Sequence, residues 1–316
     1  MKRFKNILAI YDMGIGAEET LDKAISLARQ NEADLNVLHV VDQKIDMKAM
    51  VAERKHLMRR LFLGVELEGR VNVIVKSGDQ LEETLACVEE EAFDLIVTPT
   101  EYSSGWAQLL GTDLTPELMR RTNCPIWVVR PGQSTNYRKI VAAVNAGKED
   151  ALTCPINRRI LEMASSLAKR EGAALDILFA WEFEGTERDM LLSELPDEVR
   201  FNVSQEAHYQ ALEKVVTLTK QVLGEPLVGT PIAKHGDMED VVIDYLKEST
   251  ADLLVTEGSP GNPLVNAIVG NRTLRLINQA HCSVLISRPE PESAMMRRLG
   301  RHPSRGVDFV DIDRRI

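Results

Sequence analysis

The stretch TEGSPGNPLVNAIVGNRT, residues 256–273, carries Gly258, Gly261 and Gly270 in the spacing G-x2-G-x8-G, with Asn271 next and Thr273 two residues further on. Glycines let a backbone come close to phosphate oxygens, and a helix start offers unpaired N–H groups, so this composition suits anion binding. A tight turn over Gly258, Ser259, Pro260 and Gly261 is the alternative reading of the same residues. The other candidates are weaker. Ala146-Gly147-Lys148-Glu149 lacks the earlier glycine and the Ser/Thr of a P-loop and reads as a loop lysine. No GxSxG or HExxH is present, nor the HxGH or SGGxDS signatures of nucleotidylyl transferases and ATP pyrophosphatases. His235, close to Asp237, and His281, before Cys282, have no nucleophile beside them in the sequence and read as solvated or capping histidines. No catalytic residue and no metal ligand set is expected.

The residues that would position such a loop belong to an ordinary globular composition. The chain has 316 residues, 44% hydrophobic and 27% charged, a length that suits two domains. Thirty-eight Lys and Arg against 48 Asp and Glu leave a net charge of −10, which disfavours bulk nucleic-acid binding. No apolar run approaches the ~18–20 residues of a membrane span. MKRFKNILAIYDMG at the N-terminus reads as a first strand rather than a leader, so export is not expected. Cys87, Cys124, Cys154 and Cys282 form no CxxC pair and read as reduced thiols.

The chain repeats itself once. Residues 76–97 align without a gap to 234–255, so that Lys76, Gly78, Asp79, Asp94, Leu95 and Val97 recur as Lys234, Gly236, Asp237, Asp252, Leu253 and Val255. CPIWVVRP (124–131) recurs as CSVLISRP (282–289) at the same offset of 158. KNILAIYD (5–12) matches RKIVAAVN (138–145), and SLARQNEADLNVLHVV (26–41) matches SLAKREGAALDILFAW (166–181), at offsets of 133 and 140. Four blocks in one order indicate duplication.

Within the first copy, apolar runs at 7–11, 34–40, 71–76, 94–98 and 125–129 read as strands. Leu21, Ala24, Ile25 and Ala28, then Leu81, Leu85 and Val88, mark intervening helices. Runs apolar on both faces, joined by helices, predict a parallel sheet between helix layers. The fold class is therefore α/β, as two tandem, doubly wound, five-stranded, mainly parallel sheets, with ligand sites expected at the carboxyl ends of the strands. Arg130-Pro131-Gly132 and the polar Gln133–Asn136 place a boundary near 136, giving domains 1–136 and 137–290 and a mobile tail over 291–316.

The ordered set of an acid ending strand one, GD-x2-E, DLIV before a glycine-bearing loop, and CP-x-x-V-V resembles the universal stress protein family. The likeness spans about residues 3–290, twice, and is similar to the family's tandem, two-domain type. It implies a Rossmann-like fold of the HUP type and a cytoplasmic stress-response protein without established catalytic machinery. It also implies that the last strands, with Ile126–Val129 and Val284–Ile286, pair across a pseudo-two-fold as an intramolecular dimer.

The ATP-binding branch of that family holds phosphates on G-x2-G-x9-G-[ST] after strand four. By resemblance, Gly258, Gly261, Gly270, Asn271 and Thr273 would hold ATP with Mg2+ at a helix start. The second copy is one residue short in the spacer and has Asn271 where a hydroxyl is usual. In the first copy, counting back from Gly111-Thr112 puts Thr98 and Glu101 at the first two glycine positions, and a carboxylate there repels phosphate. Tyr102, Trp106 and Leu109 in that loop suit packing or an apolar ligand. The family's strand-one acid is Asp12 in the first copy and Asn145 in the second, an amide able to bond a ribose hydroxyl. The resemblance puts the base beside Trp181, which suits either stacking or interfacial burial. The expected ligand is a small molecule in the second copy. A protein-interaction module that has lost nucleotide binding, its partner unnamed by the sequence, is the alternative.

Overall fold

A computed structural model describes residues 4–41, 64–100, 114–133, 136–145, 154–182, 196–258 and 266–288, with a few positions between 53 and 62. Side chains of 145 and 266–272 lie outside the described set, as do Gly261, Glu101, the 102–113 loop, the 146–149 loop and the tail. The chain forms two compact units, built mainly from Met1–Thr135 and from Asn136–Ser259 with Pro263–Ser287.

The first unit runs β1 (Asn6–Ile10), α1 (Ala17–Asn31), β2 (Asp34–Val41), β3 (Val71–Ser77), α2 (Gln80–Glu90), β4 (Leu95–Pro99), α3 (Leu114–Arg121) and β5 (Ile126–Val129). Its strands lie in the order β3-β2-β1-β4-β5, all parallel. The second unit runs β6 (Lys139–Asn145), α4 (Pro155–Glu171), β7 (Ala174–Trp181), α5 (Asp197–Leu223), β8 (Thr230–His235), α6 (Met238–Glu248), β9 (Leu253–Glu257), α7 (Asn266–Gln279) and β10 (Ser283–Ser287). Its order is β8-β7-β6-β9-β10, again parallel. Val, Ile and Leu predominate in β4, β5 and β10, every residue of which is buried, as a sheet covered on both faces requires.

The repeated polar residues turn out to be structural. Asp94 Oδ2 accepts from the backbone N–H groups of Lys5 and Asn6 at 2.7 and 3.0 Å, and Asp252 Oδ2 does the same for Arg138 and Lys139 at 2.7 and 2.9 Å. Each carboxylate thus fixes the register at which the first strand of its unit enters the sheet. Asp79 and Asp237 cap α2 and α6, taking N–H groups of the first turn at 2.9–3.1 Å. The glycines before them tie strand ends together. Gly78 N–H donates to Val41 O at 3.1 Å and Gly236, at φ +132°, donates to Trp181 O at 2.9 Å. Lys76–Glu90 and Lys234–Glu248 repeat as ion pairs at 3.2 and 2.6 Å.

Helix faces follow the sequence with small rotations. On α1, Leu21, Ala24, Leu27 and Ala28 are buried, and Lys23 joins them with its ammonium 5.3 Å from the Trp127 ring, while Ile25 is only half-buried. On α2 the buried residues are Thr84, Leu85 and Cys87 rather than the expected Leu81 and Val88.

Candidate functional site

In both units the sheet changes winding direction between the first and fourth strands, β1/β4 and β6/β9, and the crevice beyond their carboxyl ends is where such sheets take ligands. The two crevices differ in chemistry.

In the second unit, β9 runs out into Gly258, which is buried and whose N–H donates to Ser287 O at 2.8 Å. In the first unit the same bond, also 2.8 Å, is made by Thr100 N–H to Val129 O. Both pairs are related by the offset of 158, so Thr100 is the counterpart of Gly258. The expected placement of Thr98 at that position is corrected accordingly. Thr98 is a buried strand residue paired with Val128, one turn of the pleat earlier. Counting backward through the 102–113 loop crosses a segment of different length in the two copies, whereas the strand register does not. The Thr100 hydroxyl donates to the same Val129 O at 3.0 Å, so its side chain fills the place that glycine leaves open.

A second correction concerns the helix start. Among the described residues helix α7 spans Asn266–Gln279, so Gly270 and Asn271 stand inside it, and so does Thr273, 6% exposed. Ala267, Ile268 and Val269 are compatible with helix, and the buried Leu276 and Ile277 anchor it, so winding continues past Gly270 at a cost of about 1 kcal/mol relative to alanine. Asn271 and Thr273 therefore do not supply the orphan N–H groups of a helix start.

The helix that follows the first strand adds electrostatic contrast. Helix α4 has Cys154 at its N-cap with no side-chain capping bond, no acid in its first turn, and Arg158 at the end of that turn. Helix α1 has Glu18 and Glu19 in its first turn, and Glu19 accepts from Gly132 N–H at 3.2 Å. Asp12 is exposed and accepts from Gly14 N–H at 2.8 Å, which makes it a loop-former. Burial, then the charges of Glu18 and Asp12, push the Tyr11 hydroxyl above its ordinary pKa, a local mark of a negative edge. At Gly16, φ +86°, an added Cβ would meet Pro131 Cγ at 2.5 Å, so this loop is fixed against the end of β5.

Trp181 ends β7 half-buried, one residue beyond Ala180, the register partner of Asn145. Its ring centroid lies 4.6 Å from that of His235, the last residue of β8, and 6.5 Å from that of His208 on α5, tilted by 58° and 55°. Sequence reasoning set His235 aside as solvated or capping and did not single out His208. Strand pairing of Trp181 with His235 gives the first contact, whereas α5 has no aligned partner in the repeat from which the second could be read. Among the described residues no group of three or more His, Cys, Asp or Glu side chains is placed to hold a metal ion. No described helix is long and apolar enough to cross a membrane.

The sequence pattern that defines the universal stress protein family matches residues 3–130 and again residues 136–288. The chain belongs to the universal stress protein family. Its two universal stress protein modules match two full-length relatives. The universal stress protein E homolog of Haemophilus influenzae is 24% identical over 314 residues, covering 91% of this chain and 98% of that one. Universal stress protein E of Photorhabdus laumondii is 22% identical over 312 residues, covering 92% and 96%. Among solved structures, a protein of unknown function from Pseudomonas aeruginosa PAO1 aligns with TM-score 0.70 at 17% identity, covering 94% of this chain and 97% of that one. A universal stress protein from Archaeoglobus fulgidus aligns with TM-score 0.63 at 14% identity, covering 92% and 100%. At such identities the structural likeness establishes the tandem α/β fold.

Proposed function

We propose that this chain is a non-enzymatic, cytoplasmic stress-response protein that binds one nucleotide, ATP with Mg2+, in its second module, the first module taking no phosphate. The observation that carries the reading is the pair Gly258 and Thr100, an open backbone at one switch point and a bonded threonine side chain at the other. The basic first turn of α4 against the acidic first turn of α1 supports it, because a phosphate gains from the helix dipole and from arginine and loses near carboxylates. Gly258, Gly261 and the first turn of α7 form the proposed cradle, with Asn145 and Trp181 toward the nucleoside and Gly270, Asn271 and Thr273 supporting the helix behind it. Binding rather than turnover is proposed, since the fold by itself supplies no chemistry.

Mass spectrometry of the purified protein should detect co-purified ATP or ADP, and Gly261→Asp should weaken Mg-ATP at least tenfold, about 1.4 kcal/mol, by adding bulk and negative charge where phosphates approach. Unchanged affinity contradicts the reading. One observation favours the second reading, an interaction module: Phe201 and Tyr209 on α5 are 62% and 63% exposed. Absence of nucleotide together with a protein partner lost in Phe201→Ser would support it.

A further inference from the structure

The carboxyl edge of the first unit gathers negative charge that no described cation balances. Asp12 stands just beyond β1, Glu18 and Glu19 stand in the first turn of α1, and none of the three forms an ion pair among the described residues. Asp12 spends one oxygen on the Gly14 N–H at 2.8 Å and Glu19 one on the Gly132 N–H at 3.2 Å, so each keeps a second oxygen for a ligand. Acids in a first turn complement the helix dipole and are by themselves ordinary. Tyr11 makes this edge more than that. It is only 8% exposed, its hydroxyl bonds to no described residue, and the charges of Glu18 and Asp12 act on it directly. A buried ring thus presents an unpartnered oxygen beside two carboxylates.

These charges are spread along the edge. Asp12 follows β1, whereas Glu19 is bonded beyond the end of β5, and β4 lies between those strands. With strands about 4.8 Å apart, the acids span roughly 10 Å across the sheet. A metal ion needs its oxygens within about 2.0–2.6 Å of one point. A methylene chain carrying several ammonium groups instead meets spread acids one by one, each ammonium with three N–H donors. Met13 and Ile15, 38% and 76% exposed in the same loop, offer the methylenes an apolar surface. In the second unit the helix after the first strand has no acid in its first turn, so the arrangement is not repeated there.

We propose that the first module binds a linear aliphatic polyamine at this edge, its ammonium groups taken by Asp12, Glu18, Glu19 and the Tyr11 hydroxyl and its methylenes laid along Met13 and Ile15. The site does not rest on the nucleotide reading and goes beyond it, giving the module proposed to take no phosphate a ligand of the opposite charge.

Titration calorimetry of the full chain with spermidine at low ionic strength tests this. One site per chain is expected, at least tenfold tighter than for hexaamminecobalt(III), which carries the same charge in compact form. Tyr11→Phe keeps the ring, Asp12→Asn keeps an acceptor for Gly14, and Glu18 is exposed, so Tyr11→Phe, Asp12→Asn and Glu18→Gln should all fold with unchanged urea midpoints. Each should nevertheless weaken spermidine at least threefold. Glu89→Gln, at an exposed acid on α2, should leave spermidine unchanged, and Ile15→Ser should weaken spermidine while leaving the cobalt complex unmoved. No heat with spermidine, or equal affinity for the two cations, overturns the site. Equal losses in Glu89→Gln and the edge variants also overturn it, because they show only the diffuse field of a chain with net charge −10. Mg-ATP reads the second module separately, so failure of either reading leaves the other standing.

Discussion

The N–H of Gly258 donates to the carbonyl of Ser287 at 2.8 Å, and Thr100 makes the same bond to Val129 in the other half. One backbone position thus carries a glycine where the module is expected to bind and a threonine where it is not. Because Thr100 shows that the backbone accepts a β-branched residue there, Gly258→Thr should fold normally, with an unchanged urea midpoint, yet lose at least tenfold in Mg-ATP affinity. Thr100→Gly should create no second site, since Asp12, Glu18 and Glu19 remain at that edge. Titration calorimetry and urea melts of the two variants check both statements.

The carboxylates that repeat at 94 and 252 should matter for stability in proportion to the backbone they satisfy. Asp252→Ala strips the acceptor from the N–H groups of Arg138 and Lys139 and should cost about 1–3 kcal/mol. Asp94→Ala should cost a similar amount through Lys5 and Asn6. Denaturant midpoints measure both, and ligand affinity of correctly folded variants should not change.

Much of this architecture was legible from the repeat. The predicted strands 7–11, 34–40, 71–76, 94–98 and 125–129 fall within a residue or so of β1 to β5, because parallel strands buried on both faces read as unbroken apolar runs. Helix faces were less legible. Lys23 sits in a face that periodicity assigns to apolar residues, its stem buried and its charge near the Trp127 ring, which composition alone does not signal. In the loop after the fourth strand Thr98 was misplaced, since strand register carries across the two copies while loop length does not. His208 was not legible, because its partner Trp181 is 27 residues away on another element.

The two modules fill one region of the sheet differently, and their stabilities should respond differently. In the second, the Tyr245 hydroxyl donates to Asp176 at 2.6 Å, Lys139 pairs with the same carboxylate at 2.8 Å, and Lys139 and Lys234 lie 5.9 and 5.2 Å from the tyrosine ring. In the first, an amide ladder runs from Asn72 to Asn36 to Asn6, at 2.9 and 2.7 Å. Burial and then the hydrogen bond to Asp176 push the Tyr245 pKa up. Tyr245→Phe removes one bond to a charged group that keeps Lys139 and should cost about 1.5–3 kcal/mol. Hydrogen exchange should place the loss in β6 to β8, with β1 to β3 unaffected.

Cys87 should resist alkylation. Burial pushes its thiol from 9.0 to about 12, against a smaller opposing pull from Lys76. The thiolate is the reactive form, so at pH 8 Cys87 should react far more slowly than the half-buried Cys124 and Cys154. The folded thiol holds its proton more tightly than the unfolded one, so this group changes nothing below pH 9. Between pH 9 and 12 stability should fall by up to about 1.4 kcal/mol per pH unit, and Cys87→Ala should remove that part of the slope. Mass-resolved labelling and urea melts across pH 8–11 read both.

The stoichiometry of Mg-ATP binding to the full chain tests the asymmetry of the two modules most directly. Titration calorimetry should give one site per chain, abolished or weakened at least tenfold by Gly258→Thr and unmoved by Thr100→Ala. Two sites per chain, or no binding by the unaltered protein, would contradict the assignment of a single nucleotide site to the second module.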